Sequence, residues 1–112
     1  MSAADVAREY FARMRAGDIA VVDLFADDAE LRGVGRRVRG RDAIRAFYEE
    51  AQRVQRAHPE TGLVVGDGDR AMAEIHVDFA DGRRQHMVDL FDLRDGRIQA
   101  LTYFVADYPP SA

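Results

Sequence analysis

The sequence predicts an α+β fold in which helices cover one face of a curved antiparallel sheet. Apolar residues recur about every 3.6 residues through Val54 and every second residue from Leu63 onward. Helices therefore come first and a meander of strands comes last, an order typical of α+β proteins. The length of 112 residues suits one domain, and no repeat or linker divides residues 1–112.

Two helices are expected at the start of the chain. Residues 4–15 carry apolar side chains at intervals of four, which is typical of an amphipathic helix: Val6, Tyr10, Met14. Gly17 is suited to end this helix, and Asp18 to cap a short second one.

A hairpin and a third helix follow. The acidic pair at 27–28 predicts a break, and residues 29–39, which include two glycines, predict a short hairpin. The third helix is expected to begin at Asp42 and to end at His58-Pro59, because proline does not continue a helix.

The second half predicts strands joined by tight turns. Asp81-Gly82 and Asp95-Gly96 are strong hairpin signals. The predicted strands are 63–66, 71–80, 83–94 and 97–106. The tail, residues 108–112, is expected to be mobile or loosely packed.

Composition removes several classes of chemistry. The chain has no cysteine and no lysine, which excludes thiolate nucleophiles, thiolate metal sites and Schiff bases. Its only serines, Ser2 and Ser111, lie near the termini, where a serine nucleophile is not expected. Proton transfer by Asp, Glu, Tyr or His, or ligand binding alone, remains. No cofactor is expected.

The charge pattern argues against nucleic acid as a partner. The net charge is −4, although six arginines crowd into 14 residues: Arg32, Arg36, Arg37, Arg39, Arg41, Arg45. That segment has no aromatic residue on which bases could stack, so a solvated basic hairpin is favoured over an anion-binding patch or an RNA contact. No apolar run approaches the length of a membrane helix, so a cytoplasmic protein without membrane contact is expected.

Local sequences in both halves resemble the ketosteroid-isomerase and SnoaL-like branch of the nuclear-transport-factor-2-like superfamily. They are Tyr10 with Ala16-Gly17-Asp18, then residues 24–29 and 44–48, then Val88-Asp89-Leu90-Phe91. The resemblance covers nearly the whole chain. It implies a cone-shaped, curved antiparallel sheet wrapped around a long N-terminal helix, the cystatin-like or ketosteroid-isomerase-like α+β barrel, enclosing an apolar pocket.

The resemblance also implies roles for single residues. Tyr10 matches the tyrosine that donates to the substrate oxyanion, Tyr48 its supporting tyrosine, and Asp89 the acid that shares the oxyanion hole. The aspartate that moves the proton in the family falls on Gly33 or on its neighbours Arg32 and Val34, and none of these is an acid. The implied site therefore has the oxyanion half of an isomerase site and lacks the base.

Other residues are expected to contact a ligand. Met87 and Phe91 flank Asp89 on one face of its strand, because alternate side chains of a strand share a face. Tyr48 is expected to line the pocket, and Tyr103 is a candidate for its mouth.

The placement of His76 depends on the Asp81-Gly82 turn. A two-residue turn puts His76 opposite Met87 and makes it a diagonal neighbour of Asp89 on one face. A three-residue turn with a bulge shifts the register by one and points His76 away. The first case is favoured and gives a His–Asp pair like that of SnoaL-like polyketide cyclases. With His86 expected on the face opposite His76 in either register, no metal site is predicted.

Two functions remain open. The favoured one is an enzyme of isomerase, cyclase or lyase type that transfers protons on a hydrophobic carbonyl-bearing metabolite, with Tyr10, Asp89 and His76 as catalytic residues. The alternative is a non-catalytic module of the same fold that binds a small ligand or dimerises. A homodimer is expected through the outer face of the sheet, where Val88 and Leu90 lie.

Overall fold

The computed structural model describes residues 1–109, so the last part of the predicted tail, 110–112, lies outside the described residues. These described residues form two α-helices and six strands: α1 (Ala3–Arg15), β1 (Phe25–Gly33), β2 (Arg36–Arg39), α2 (Arg41–Glu49), β3 (His58–Asp67), β4 (Arg70–Asp78), β5 (Arg84–Arg94) and β6 (Arg97–Val105). A 3-10 helix (Ile19–Leu24) follows α1, and a π-helical turn (Glu50–Val54) extends α2.

Local capping fixes the ends of α1. The Ser2 hydroxyl accepts from the Asp5 amide at 3.1 Å, and the Asp5 carboxylate accepts from the Ser2 amide at 3.0 Å, which forms a capping box. Gly17 follows the helix at φ +65°, and the Asp18 side chain caps the 3-10 helix by accepting from the Ala20 amide. These predicted boundaries are confirmed.

The strands form one six-stranded sheet in the order β2-β1-β6-β5-β4-β3. The predicted α+β class with a curved sheet is confirmed, and the meander comprises four consecutive strands, β3 to β6. One neighbouring pair departs from the predicted antiparallel pattern: β1 runs parallel to β6, with Leu31 opposite Leu101.

Two strands are longer than the sequence predicts. β1 continues through the expected break at 27–28, and β3 begins at His58 rather than near residue 63. Each contains a register shift, between Phe25 and Glu30 in β1 and between Thr61 and Val64 in β3. A bulge interrupts the alternation of side chains, and so it hides a strand from a pattern of period two.

The core lies between α1 and the inner face of the sheet. The predicted stripe of α1 is buried. Buried small residues on β4, such as Ala71 and Ala73, allow the helix to pack close to the sheet. Phe91 on β5 packs edge-on against Tyr10 and Phe11, with ring centroids 5.3 and 5.7 Å apart. Within residues 1–109, no helix combines the length and apolarity needed to cross a bilayer. The packed core leaves a cavity at one end of the sheet.

Candidate active site

The β4–β5 turn determines which side chains reach the cavity. The Phe79 amide donates to the Arg83 carbonyl and the Gly82 amide donates to the Phe79 carbonyl, both at 3.0 Å, and Gly82 has φ +88°. Three residues, 80–82, therefore form the loop, and the glycine provides the bulge. Ile75 consequently faces Met87. The favoured two-residue turn is wrong, and the three-residue alternative is correct.

This register moves His76 away from the cavity. His76 faces His86 directly, and their rings stack on the outer face of the sheet with centroids 4.4 Å apart. His86 Nε2 lies 2.8 Å from a Glu74 carboxylate oxygen. The expected His76–Asp89 pair is therefore absent among the described residues. The expectation that His76 and His86 lie on opposite faces is also wrong, because directly paired residues share a face.

The outer face holds no arrangement suited to a metal within the part of the chain that the structure describes. Val88 and Leu90 lie on this face and are half-buried, and Phe104 beside them is 55% exposed. The homodimer through this face stays a prediction.

The cavity has a volume of about 270 Å³ and lies between the helices and the inner face of the sheet. Its walls are mostly apolar. The helical side contributes eight lining residues: Tyr10, Phe11, Met14, Phe47, Tyr48, Ala51, Gln55 and Ala57. The strands and turns contribute twelve: Gly33, Val34, Arg36, Pro59, Ile75, Val77, Phe79, Arg83, Gln85, Met87, Asp89 and Tyr103. Its mouth is bounded by exposed residues such as Val34 and Gln55.

Asp89 is the acidic residue at the buried end of the cavity. The residue is 3% exposed, and its Oδ1 has no hydrogen-bond partner among the described residues. Burial raises the pKa of its carboxyl to about 7, because removal from water penalises the charged form. Its neighbours across the sheet are Ala73 and Tyr103. Both protonation states of Asp89 are therefore accessible near neutral pH.

Tyr10 and Tyr48 form a buried hydroxyl pair in the cavity wall. Their oxygens are 2.8 Å apart, and either hydroxyl can be the donor. Burial raises the pKa of both phenols well above the ordinary value, so both stay protonated. One proton is used between the two oxygens, which leaves the other free for an acceptor that enters the cavity.

The family resemblance puts the base at Gly33 or at its neighbours Arg32 and Val34, and at Gly33 the space for a side chain is already filled. A Cβ on Gly33 would lie 2.6 Å from Tyr103 Cε2 and 2.7 Å from the Tyr103 carbonyl oxygen. The Tyr103 ring stacks on Phe47 at a centroid distance of 6.4 Å. The missing carboxylate is thus replaced by an aromatic ring.

The predicted ligand contacts divide into two groups. Tyr48, Met87 and Tyr103 line the cavity. Phe91 does not; it is fully buried behind Tyr10, and its expected contact with a ligand is not found. Strand alternation gives the correct face for Phe91 but says nothing about what covers it.

Two arginines at the mouth were not predicted. The Arg36 guanidinium lies 5.7 Å from the Phe47 ring centroid, and the Arg83 guanidinium lies 4.5 Å from that of Phe79. The charge of Arg36 also opposes the rise that burial causes in the pKa of Tyr103. Arg36 belongs to the arginine-rich hairpin, but no local signal distinguishes it there from its neighbours. Arg83 follows the Asp-Gly turn, which has three loop residues where the favoured prediction has two.

Comparison with known proteins places this geometry in context. Residues 7–101 match the model of the SnoaL-like domain family. No curated protein matches the chain. A protein from Sphaerobacter thermophilus is 31% identical, with a TM-score of 0.79 over 96% of this chain and 99% of that one.

Two further structures are similar. A candidate polyketide cyclase from Sinorhizobium meliloti is 27% identical, with a TM-score of 0.82 over 89% of this chain and 94% of that one. A candidate ketosteroid isomerase from Kribbella flavida is 22% identical, with a TM-score of 0.84 over 98% of this chain and 83% of that one. The last likeness concerns the fold alone.

Proposed function

This chain belongs to the SnoaL-like family, and we propose that it is an enzyme that transfers protons on a hydrophobic, carbonyl-bearing metabolite. Asp89 is the group that takes and returns the proton. The Tyr10–Tyr48 pair donates to the carbonyl oxygen. The observation that carries the proposal is the buried Asp89 carboxyl, one oxygen of which has no hydrogen-bond partner within residues 1–109 and lies in an apolar cavity.

The ionisation of Asp89 supports a role in proton transfer. A general base works best when its pKa lies near the ambient pH, and this carboxyl has a pKa of about 7. The carboxylate would remove a proton from the carbon next to the carbonyl and become a neutral acid. It would then return that proton to another carbon or to the same one.

The tyrosine pair supports the other half of the reaction. Loss of the carbon-bound proton moves negative charge onto the carbonyl oxygen, which then needs a hydrogen-bond donor. The free hydroxyl proton of the Tyr10–Tyr48 pair lies in the same cavity wall. Since the Tyr103 ring fills the space beside Gly33, Asp89 would serve both steps alone.

Proton exchange tests the proposal without knowledge of the natural substrate. The probes are enolisable ketones of one or two rings, 2-tetralone among them, and exchange of their α-protons in D₂O is followed by NMR. We expect Asp89→Asn to slow the catalysed exchange by about 10²- to 10⁴-fold, the usual contribution of a positioned base. Glu30→Gln is the matched control, because it changes the other buried carboxylate outside the cavity, and it should leave the rate unchanged.

Two results would contradict the proposal. One is undiminished exchange in Asp89→Asn. The other is saturable binding of the ketones, seen as a shift in melting temperature, with no exchange above the solvent rate. The second result favours the non-catalytic ligand-binding alternative.

A further inference from the structure

We infer that the metabolite carries a carboxylate at the end that lies at the cavity mouth, held by Arg36 and Arg83, with one or two rings behind it. This inference rests on the proposed function, since it names the substrate class of the same cavity. Its three supports are the distribution of charge along the cavity, the lack of an acidic partner for Arg36, and the cavity volume.

Charge is distributed unevenly along the cavity. Three of the lining residues have a carboxyl or guanidinium group: Asp89 at the buried end, and Arg36 and Arg83, both exposed, at the mouth. A ligand that fills this space meets a carboxyl group at one end and two guanidinium groups at the other. The reacting carbonyl and a negative charge therefore belong at opposite ends of the ligand.

Arg36 differs from the arginines beside it. Arg32, Arg37 and Arg39 all lie within 3.4 Å of a Glu30 carboxylate oxygen. Arg36, in the same hairpin, forms no ion pair within residues 1–109 and instead extends over the Phe47 ring. A guanidinium held over an aromatic face by a cation–π contact uses none of its N–H donors there, so they stay free for a carboxylate.

Arg83 also has free N–H donors. Its Nε donates to Asp81 at 2.8 Å, in an exposed contact within the turn. A guanidinium has five N–H donors, so most of them remain after that bond. The guanidinium also stacks on an aromatic ring, Phe79, at the cavity wall. Each of the two arginines, one after each turn, therefore places its guanidinium over an aromatic ring at the cavity and keeps N–H donors free.

The volume limits the apolar part of the ligand. A cavity of about 150 Å³ holds a benzene molecule, so the 270 Å³ found here suits one ring with substituents or two fused rings. A fused four-ring skeleton would extend past the mouth, where the guanidinium groups lie. The substrate class is therefore a one- or two-ring carbonyl compound with a carboxylate at its far end.

Binding of a matched pair of probes tests the inference. The probes are 6-hydroxy-2-naphthoate and its neutral methyl ester, titrated by their fluorescence at neutral pH and low salt. The protein has a net charge of −4, so without a local cationic site the acid should bind more weakly than the ester. We expect the acid to bind about tenfold more tightly instead, since a charge-assisted hydrogen bond is worth roughly that factor.

Two variants locate the effect. Arg36→Gln should abolish the preference for the acid, whereas Arg94→Gln, which makes the same change at the exposed far end of β5, should keep it. The preference should also shrink between about 0.01 M and about 1 M salt, as the screening length falls from roughly 30 Å to roughly 3 Å. Equal binding of acid and ester, absence of binding by the acid, or a preference that survives Arg36→Gln overturns the inference.

The outcome is separable from that of the ketone experiment. A preference for the acid that depends on Arg36, without any proton exchange, keeps the carboxylate site and rejects the proposed chemistry. Exchange that depends on Asp89, with equal binding of acid and ester, keeps the chemistry and rejects the carboxylate site.

Discussion

Glu30 and Asp89 are both buried carboxylates, 5% and 3% exposed, yet their surroundings differ completely. Glu30 accepts from Arg32 at 3.0 Å and from Arg39 at 2.9 Å, and Arg37 lies 3.4 Å away. These guanidinium groups hold the pKa of Glu30 below its usual range. Asp89 has no such partner in the part of the chain that the structure describes, and burial raises its pKa to about 7.

The difference shows that burial raises the pKa of a carboxylate unless charged partners outweigh it. All 16 basic residues of this chain are arginines, so guanidinium partners are plentiful. Where one is supplied, the carboxylate is permanently charged and stabilises a hairpin. Where none is supplied, the carboxylate can gain and lose a proton near neutrality, which is the property that acid/base chemistry needs.

The largest expected effect concerns stability as a function of pH. The pKa of Asp89 is about 7 in the folded protein and about 3.9 when unfolded, so the unfolded state releases its proton first as the pH rises. The contribution of Asp89 to the free energy of unfolding is therefore fully present below about pH 4 and is lost progressively up to about pH 7. The loss is about 4 kcal/mol, from roughly three pH units at about 1.4 kcal/mol each.

Asp89→Asn removes this titration. Between about pH 4 and pH 8, the free energy of unfolding of the variant should rise by about 4 kcal/mol relative to that of the wild type, as measured by urea unfolding at each pH. A difference that stays constant across this range would show that Asp89 is not buried and unpartnered in solution.

A smaller effect is expected on the rate of proton exchange. If Asp89 is the base, the rate should rise about tenfold between pH 6 and pH 8, as its ionised fraction goes from about a tenth to about nine tenths. Glu30→Gln should give the same profile. A profile with its midpoint near pH 4 would assign the chemistry to an ordinary, solvated carboxylate.

The smallest effect concerns Glu30. Its folded pKa is lowered, so its contribution to stability is present above the unfolded pKa of about 4.3 and is lost as the pH falls through the folded value. Glu30→Gln should lower the melting temperature by a few degrees at pH 7. Salt should reduce the difference from the wild type, because these arginines are partly exposed. A melting temperature equal to that of the wild type in calorimetry at low salt would contradict this role.

Much of the fold follows from local sequence, because its causes are local. Helix α1 has its stripe, cap and terminating glycine within 17 residues. Strand β4 alternates regularly between buried and more exposed residues, and Asp-Gly turns join β4 to β5 and β5 to β6. The register between β4 and β5 does not follow from local sequence. Gly82 has a positive φ in either turn, and only the number of loop residues differs. That one residue decides whether His76 reaches the cavity.

The site follows from the sequence only in part. Asp89 and Tyr10 are predictable from the family resemblance and from strand and helix periodicity. The sequence does not predict that the space beside Gly33 is filled. Tyr103 reaches that space because β1 pairs in parallel with β6, and this pairing joins distant parts of the chain. Arg36 is likewise distinguished by forming no ion pair with the residues that the structure describes, and sequence spacing carries no information about that.

The contact between Gly33 and Tyr103 also constrains how this site can evolve. With the tyrosine in place, any substitution that adds a side chain at position 33 meets a ring and a backbone carbonyl at once. A smaller residue at position 103 would not by itself admit such a side chain, because the carbonyl oxygen belongs to the backbone and stays in place. Position 33 is therefore closed to every residue with a Cβ for as long as β1 and β6 keep this pairing.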